Sequence, residues 1–288
     1  KDGYITSVEI DLKGFDSLDM AGVLKDADVL IDLSHVKGHG ACGYGGAIKN
    51  LALGGYSGPT RWFKIHGISQ VDKYWDKEKA TPEHAKKLVE ACPNGALKYD
   101  EEKDELIREY HDCRQCFTCL EIDRNVGAVK LPRESYSAFQ KMMAISAKKV
   151  LETFNPEKVF YLNFLIQITP FCDCLGVGQP PIINDIGILG SKDIIAIETA
   201  TLDLINEEGI IQKNIPPYFK DVNLDPNENL HPFTRLHGIY KDPYESVRFL
   251  EKMGVGISEY ELIEILSPEE TAKIKPPKTE FEGEPTFF

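Results

Sequence analysis

Four cysteines carry the clearest chemical signal in the sequence, and three of them lie in one run. Residues 113–119 read Cys-Arg-Gln-Cys-Phe-Thr-Cys, and Cys92 precedes a proline upstream. Gaps of two residues let a tight loop aim three thiolates at one centre, and a distant Cys-Pro supplies the fourth ligand in bacterial ferredoxins. The pattern therefore predicts one 4Fe–4S cluster, ligated by Cys92, Cys113, Cys116 and Cys119.

The spacing of a two-cluster ferredoxin, counted from these cysteines, argues against a second cluster. The missing first triplet would fall at Leu88, Ala85 and Pro82, and the missing second Cys-Pro would fall near Asp123. A zinc site of four cysteines is an alternative, although such sites usually use paired Cys-x-x-Cys knuckles. A purely structural cluster would use the same ligands, so the sequence does not separate it from an electron carrier.

A second set of polar residues lies beside predicted strand ends. Cys172 and Cys174 directly follow a strand, and His39 and Lys49 bracket a glycine-rich stretch together with Asn50. Ligands bind at such ends in open α/β sheets. We predict that these residues share a pocket, a candidate catalytic site for a small anionic ligand, close enough to the cluster for direct electron transfer. The alternative for both thiols is burial as small hydrophobes.

Other polar residues carry weaker signals. Asp185 and Asp193 are expected near the edge of this pocket, either as ligands or as caps and turns. Cys42 is interpreted as a packing residue. The other histidines show no ligand spacing and are expected to be structural or on the surface: His35, His66, His84, His111, His231 and His237.

Charge and composition exclude several classes of partner. The formal net charge is −13, so nucleic acid and anionic membrane surfaces are poor partners. No apolar run reaches the roughly 18 residues that a membrane span requires. The 7 cysteines are an odd number, and most lie in short-spaced groups, unlike an evenly paired disulfide scaffold. We expect a cytoplasmic, reducing and anaerobic setting, with no membrane insertion.

The secondary-structure elements predicted to position these residues are typical of an α/β fold. Near-continuous apolar runs predict strands at 28–34, 158–168 and 182–189, the first covered on both faces. Helices are predicted at 47–53, from Thr81 to Cys92, at 139–154 and at 199–206. We predict a mixed or mostly parallel sheet with flanking helices. Residues 1–76 and 125–266 would form one discontinuous domain, 77–124 a ferredoxin-like insert with one cluster, and 267–288 an extended arm.

Several segments together resemble the domain-of-unknown-function 362 family. They are Leu-Ser-His-Val-Lys-Gly-His at 33–39, Gly-Gly-Ala-Ile-Lys-Asn-Leu at 45–51, Cys-Asp-Cys at 172–174, and Pro-Ile-Ile-Asn-Asp-Ile-Gly-Ile-Leu-Gly-Ser-Lys-Asp at 181–193. Members are often described as iron–sulfur cluster-binding proteins and commonly carry a ferredoxin-like insert with two clusters. The resemblance implies the fold and the insert, with one cluster missing here, and it implies no reaction.

Three functions are compatible with the sequence. The first is electron transfer through the cluster, either to a site on the α/β domain, as in an oxidoreductase, or to a redox partner protein. The second is a non-catalytic accessory or assembly subunit with a structural cluster. The third is a redox sensor based on Cys172 and Cys174. A ligand site near His39 would favour the first, and an extensive docking surface would favour the second.

Overall fold

The computed structural model describes residues 3–173, 178–219, 229–265 and 268–271. Its largest sheet is mixed and has three strands, in the order β3 (Leu30–His35), β8 (Val159–Leu165) and β9 (Gly187–Ser191). Strand β3 runs parallel to β8, and β9 runs antiparallel to it. The α/β class with a mixed sheet and several helices is confirmed. This sheet joins residues from before and after the cysteine-bearing segment 77–124.

Strand β3 differs from its prediction, because only one face is covered. Ile31 and Leu33 are 59% and 57% exposed, whereas Asp32 and Ser34 are buried. Polar contacts explain why Asp32 and Ser34 are buried in place of Ile31 and Leu33. Asp32 accepts hydrogen bonds from the Ser34 hydroxyl and from the Asn50 amide of the neighbouring helix. The third predicted strand was also misplaced, because residues 182 and 183 make only an isolated bridge and the strand begins at Gly187.

Helices pack around this sheet and bury the core. The 19-residue helix α5 (Arg133–Leu151) packs on α2 (Ala47–Gly54) and on α8 (Glu245–Lys252). Met142 and Met143 of α5 are almost fully buried in this core. Among the described residues, the other α-helices outside segment 77–124 are α1 (Gly22–Asp26), α6 (Ile194–Glu208), α7 (Pro232–His237) and α9 (Pro268–Thr271). None of the helices in the described ranges is long and apolar enough to cross a membrane.

Two hairpins complete the body of the fold. Strands β1 (Ile5–Leu12) and β2 (Phe15–Ala21) pair antiparallel, as do β4 (Lys37–His39) and β5 (Gly43–Gly45). Gly43 begins β5, directly after the turn of the second hairpin, with φ +80°, and a Cβ there would come within 2.4 Å of the Lys241 carbonyl oxygen. The glycine therefore permits a close approach between two chain segments rather than an approach to a ligand.

A buried carboxylate fixes the start of α2. Glu198 of α6 is fully buried and accepts hydrogen bonds from the Ala47 amide at 2.6 Å, the Tyr44 hydroxyl and the Asn163 amide. Burial raises the pKa of Glu198 to about 7. Because the first N–H groups of a helix lack partners within it, this contact anchors the helix that carries Lys49.

The cysteine-bearing segment has its own small set of elements. Helix α3 (Pro82–Ala91) begins at the predicted cap, Thr81, whose hydroxyl accepts the His84 amide. Strands β6 (Leu97–Asp100) and β7 (Glu105–Arg108) form an antiparallel hairpin, and α4 (Thr118–Asp123) follows. An antiparallel bridge between Trp75 and Val129 holds the two ends side by side. Its ferredoxin-like character, the domain division and the arm at 267–288 stay predictions, and most of that arm lies outside the described residues.

Candidate functional site

The four predicted ligands line one concave site. Cys92, Cys113, Cys116 and Cys119 share this cavity, which we call the cysteine site, and none of them forms a disulfide. Cys92 follows the last residue of α3, where Cys92-Pro93-Asn94-Gly95 makes a turn closed by the Gly95 amide. The Arg114 guanidinium donates to the Asn94 side chain and so ties this turn to the triplet loop.

The triplet loop turns sharply between its cysteines. Gln115 and Phe117 adopt positive φ angles of 52° and 63°. Left-handed backbone is unfavourable for such side chains, at on the order of 1 kcal/mol each. The side chain of Gln115 is buried. It donates a hydrogen bond to the Cys113 carbonyl and accepts one from the Tyr240 amide. The surrounding structure thus holds a strained loop whose effect is to present three thiols to one space.

Polar groups around the cysteine site indicate an anionic occupant. The Tyr136 hydroxyl donates to Cys113 Sγ at 3.3 Å, and burial raises the pKa of the Cys119 thiol. The Tyr74 hydroxyl is buried in the cavity wall beside the Cys119 thiol. Four sulfur donors and two neighbouring hydroxyl donors fit an iron–sulfur cluster, whose sulfides accept hydrogen bonds.

Two buried cations lie just behind this wall. Arg108 is 2% exposed, stacks over Tyr74 and Tyr136, and forms no salt bridge within the described ranges. Lys241 is fully buried and donates to the carbonyls of Tyr110 and Cys113. A buried charge without a counterion is costly, so both cations favour negative charge in the neighbouring site.

The positions that would hold a second cluster take part in packing instead. Ala85 and Leu88 are fully buried on the inner face of α3. Asp123 is buried between the His84 ring and the Val129 amide, with both contacts under 3 Å. These side chains form the interior of segment 77–124, and none of them offers a thiolate.

The second predicted set also meets at one cavity, which we call the histidine cavity. It has a volume of about 530 Å³. His39, Lys49, Asn50 and Cys172 lie in its wall, as the sequence predicted, and Cys174 lies outside the described residues. Cys172 is disulfide-bonded. The other lining residues are Gly40, Leu53, Gly54, Arg61, Trp62, His66, His111, Asp112 and Phe171.

Two histidines of this cavity were missed by the sequence reasoning. His66 closes a π-helical segment, Thr60–His66, which also presents Arg61 and Trp62, and π-helical turns are frequent at functional sites. His111 follows β7 in the cysteine-bearing segment. From the sequence, both were expected to be structural or on the surface, and neither was placed at this pocket. Only the fold brings these three elements together, and no spacing in the sequence signals it.

The two predicted aspartates do not line this cavity. Asp193 caps α6 by accepting the Ile195 and Ala196 amides, and it faces a separate cavity near the far end of the sheet. Asp185 accepts the Gln167 amide at 2.7 Å. The cap alternative is therefore confirmed for Asp193, and the placement of Asp193 at the pocket edge was wrong.

A short stretch of chain joins the two sites. His111 and Asp112 line the histidine cavity, and Cys113 lines the cysteine site. Two peptide units span at most about 7 Å between Cα atoms. The cavity and the four cysteines are therefore next to each other, with one backbone segment as their common wall.

Comparison with known proteins gives one family match. The family described as a domain of unknown function (DUF362) matches residues 1–203. No curated protein and no solved structure matches.

Proposed function

The chain belongs to the DUF362 family, and from that premise we propose that it is an iron–sulfur redox protein. One 4Fe–4S cluster, held by Cys92, Cys113, Cys116 and Cys119, exchanges electrons with a small anionic substrate in the histidine cavity or with a redox partner protein. The observation that carries the proposal is the cysteine site itself. Four free cysteines surround one cavity, and behind it lie the buried cations Arg108 and Lys241, neither of which forms a salt bridge within the described ranges.

Charge balance favours a bound cluster over four thiols with nothing bound between them. A 4Fe–4S core bound by four thiolates is a dianion when oxidised and gains one more negative charge on reduction. Lys241 and Arg108 compensate this charge, and the hydroxyls of Tyr74 and Tyr136 donate towards sulfur. Such hydrogen bonds and charges are among the factors that set cluster potential. When bound, the cluster supplies one-electron chemistry, and the chain's own residues hold it and tune it.

The shared wall supports electron exchange with the histidine cavity. The backbone from His111 to Cys113 gives a covalent path, and its length suits direct transfer. Inside the cavity, neither the Lys49 amine nor the Arg61 guanidinium forms a salt bridge within the described ranges. Burial lowers the pKa of Lys49, and bound negative charge would raise that pKa and favour the cation. These groups suit a carboxylate or phosphate substrate.

A second candidate function rests on a different observation. The outward face of the sheet exposes apolar side chains of β3 and β9, including Ile31, Leu33 and Ile188. Contiguous exposed apolar surface is typical of protein interfaces. This face favours the accessory-subunit function, in which the same cluster would be structural.

Metal analysis tests the cluster. Protein loaded and purified without oxygen is expected to hold about four irons and about four acid-labile sulfides per chain. The count follows from one complete set of ligands and the packed interior of segment 77–124. About eight irons per chain, or zinc in place of iron, would contradict it.

A further inference from the structure

Three imidazole rings meet in the wall of the histidine cavity. The candidate ligand nitrogens of His39, His66 and His111 all lie within 4.8 Å of one another. The ring centres of His39 and His66 are each 5.5 Å from that of His111. Each ring comes from a different element, namely β4, the π-helical segment and the loop after β7. Convergence from three elements onto one point is the arrangement that a metal site requires.

Neighbouring side chains fix the orientation of these rings. His66 lies between Trp62 and Phe139, with both ring centres 5.1 Å away. Its Nδ1 is 2.8 Å from the Arg61 carbonyl oxygen. Because this nitrogen donates its proton to the carbonyl, Nε2 keeps the lone pair that a metal needs. Such outer contacts set the tautomer of metal-ligating histidines.

His39 is the buried member of the group, at 2% exposed. Its Nδ1 accepts the Ala41 amide at 3.2 Å and lies 3.1 Å from Cys42 Sγ. The Cys42 thiol donates its own proton to the Tyr44 carbonyl, so its sulfur can accept a second one. The two contacts of Nδ1, with the Ala41 amide and with Cys42, need opposite tautomers. Metal binding at Nε2 requires the tautomer in which Nδ1 carries the proton and donates it to Cys42 Sγ, and the contact with the Ala41 amide is then given up. In this arrangement Cys42 is a positioning residue.

We propose that His39, His66 and His111 bind one divalent first-row transition metal ion, with an open coordination position towards the histidine cavity. Zinc sites of three histidines keep such a position for water or substrate. Tetrahedral zinc holds its nitrogens roughly 3.4 Å apart at metal–nitrogen distances of 2.0–2.1 Å, so the rings close on the ion by about 1 Å. Imidazole ligands suit zinc, iron, copper and nickel alike.

The charges around the open position indicate its ligand. Lys49 and Arg61 line the same cavity, and both are cations. A small anion could coordinate the metal with one oxygen and pair with these cations through another. The metal site does not depend on the cluster, since its ligands are all nitrogen donors and the cluster ligands are all cysteines.

Zinc binding by cluster-loaded protein tests the site. After dialysis against micromolar zinc chloride, the wild-type protein is expected to hold about one zinc per chain, with X-ray absorption showing about three nitrogen neighbours at 2.0–2.1 Å and no sulfur at 2.3 Å. His66→Ala and His111→Ala are suitable variants because both rings are half-buried. Each should weaken zinc binding at least ~10-fold.

His35→Ala is the matched control, since His35 is half-exposed and lies outside the cavity. It should bind zinc as the wild type does. Circular dichroism of each variant checks that the fold is retained. Sulfur neighbours on zinc, no zinc uptake by the wild type, or wild-type zinc affinity in both histidine variants would overturn the site. Iron is counted in the same samples, so that the metal site and the cluster are tested separately. Nitrogen-bound zinc in a chain without iron would support the metal site and count against the cluster.

Discussion

Replacing Cys113 by alanine is expected to abolish stable cluster binding. Cys113 is one of four thiols around the cysteine site, and its sulfur also accepts the Tyr136 hydroxyl. The change removes a ligand and leaves the Tyr136 donor without its acceptor. Residues outside the ligand shell alone change metal affinity 10–100-fold, so loss of a ligand should lower retained iron at least ~10-fold. Iron content and visible absorbance after anaerobic desalting measure it.

Cys42→Ala provides the matched control for this substitution. Cys42 is also a cysteine and is almost fully buried, but it lies in the β4–β5 turn outside the cysteine site. Its replacement removes one small side chain and should leave the iron content at the wild-type level. Equal iron loss in both variants would show that the effect comes from destabilised folding rather than from ligation. Full iron retention by Cys113→Ala would exclude Cys113 as a ligand.

Lys241→Met is expected to lower the reduction potential of the bound cluster. The amine donates to the Cys113 carbonyl at 2.5 Å. Burial lowers the pKa of Lys241 to about 8, so the charge is still present at pH 7. A unit charge about 7 Å away contributes on the order of 2 kcal/mol at an effective dielectric constant of 20, or on the order of 100 mV for a one-electron couple. Reduction adds negative charge, so removal of the cation makes it less favourable.

A potentiometric titration at pH 7 measures this shift. Lys252→Met is the control, because Lys252 is an exposed lysine at the end of α8, and its potential should stay near the wild-type value. Lys241→Met also leaves two backbone carbonyls without a donor, at about 1–3 kcal/mol each, so its unfolding is followed in parallel. An unchanged or raised potential in a folded, iron-loaded variant would contradict the charge-balance argument.

Local sequence signals predicted the cysteine site well. The helix predicted from Thr81 to Cys92 depends on short-range chemistry, and it is present with Thr81 as its cap. The spacing of the cysteines likewise depends only on the reach of a tight loop. Such features need no knowledge of distant contacts, so their positions could be read from the sequence.

The histidine cavity could be predicted only in part from the sequence. His39 and Lys49 could be placed together because both adjoin one glycine-rich stretch. His66 and His111 join them through a π-helical segment and a loop of segment 77–124, and this convergence depends on tertiary packing. Strand β3 was misread for a similar reason: its apolar run predicts burial, but polar contacts of Asp32 with α2 turn Ile31 and Leu33 outwards.

Spin counting on reduced wild-type protein tests the central claim most directly. Anaerobic, iron-loaded protein is treated with dithionite and its electron paramagnetic resonance signal is integrated against a spin standard. A single redox-active 4Fe–4S cluster predicts about one unpaired electron per chain, reversible on reoxidation. A loaded protein that accepts no electron would make the cluster structural, and about two spins per chain would require a second cluster. Either result would contradict the account.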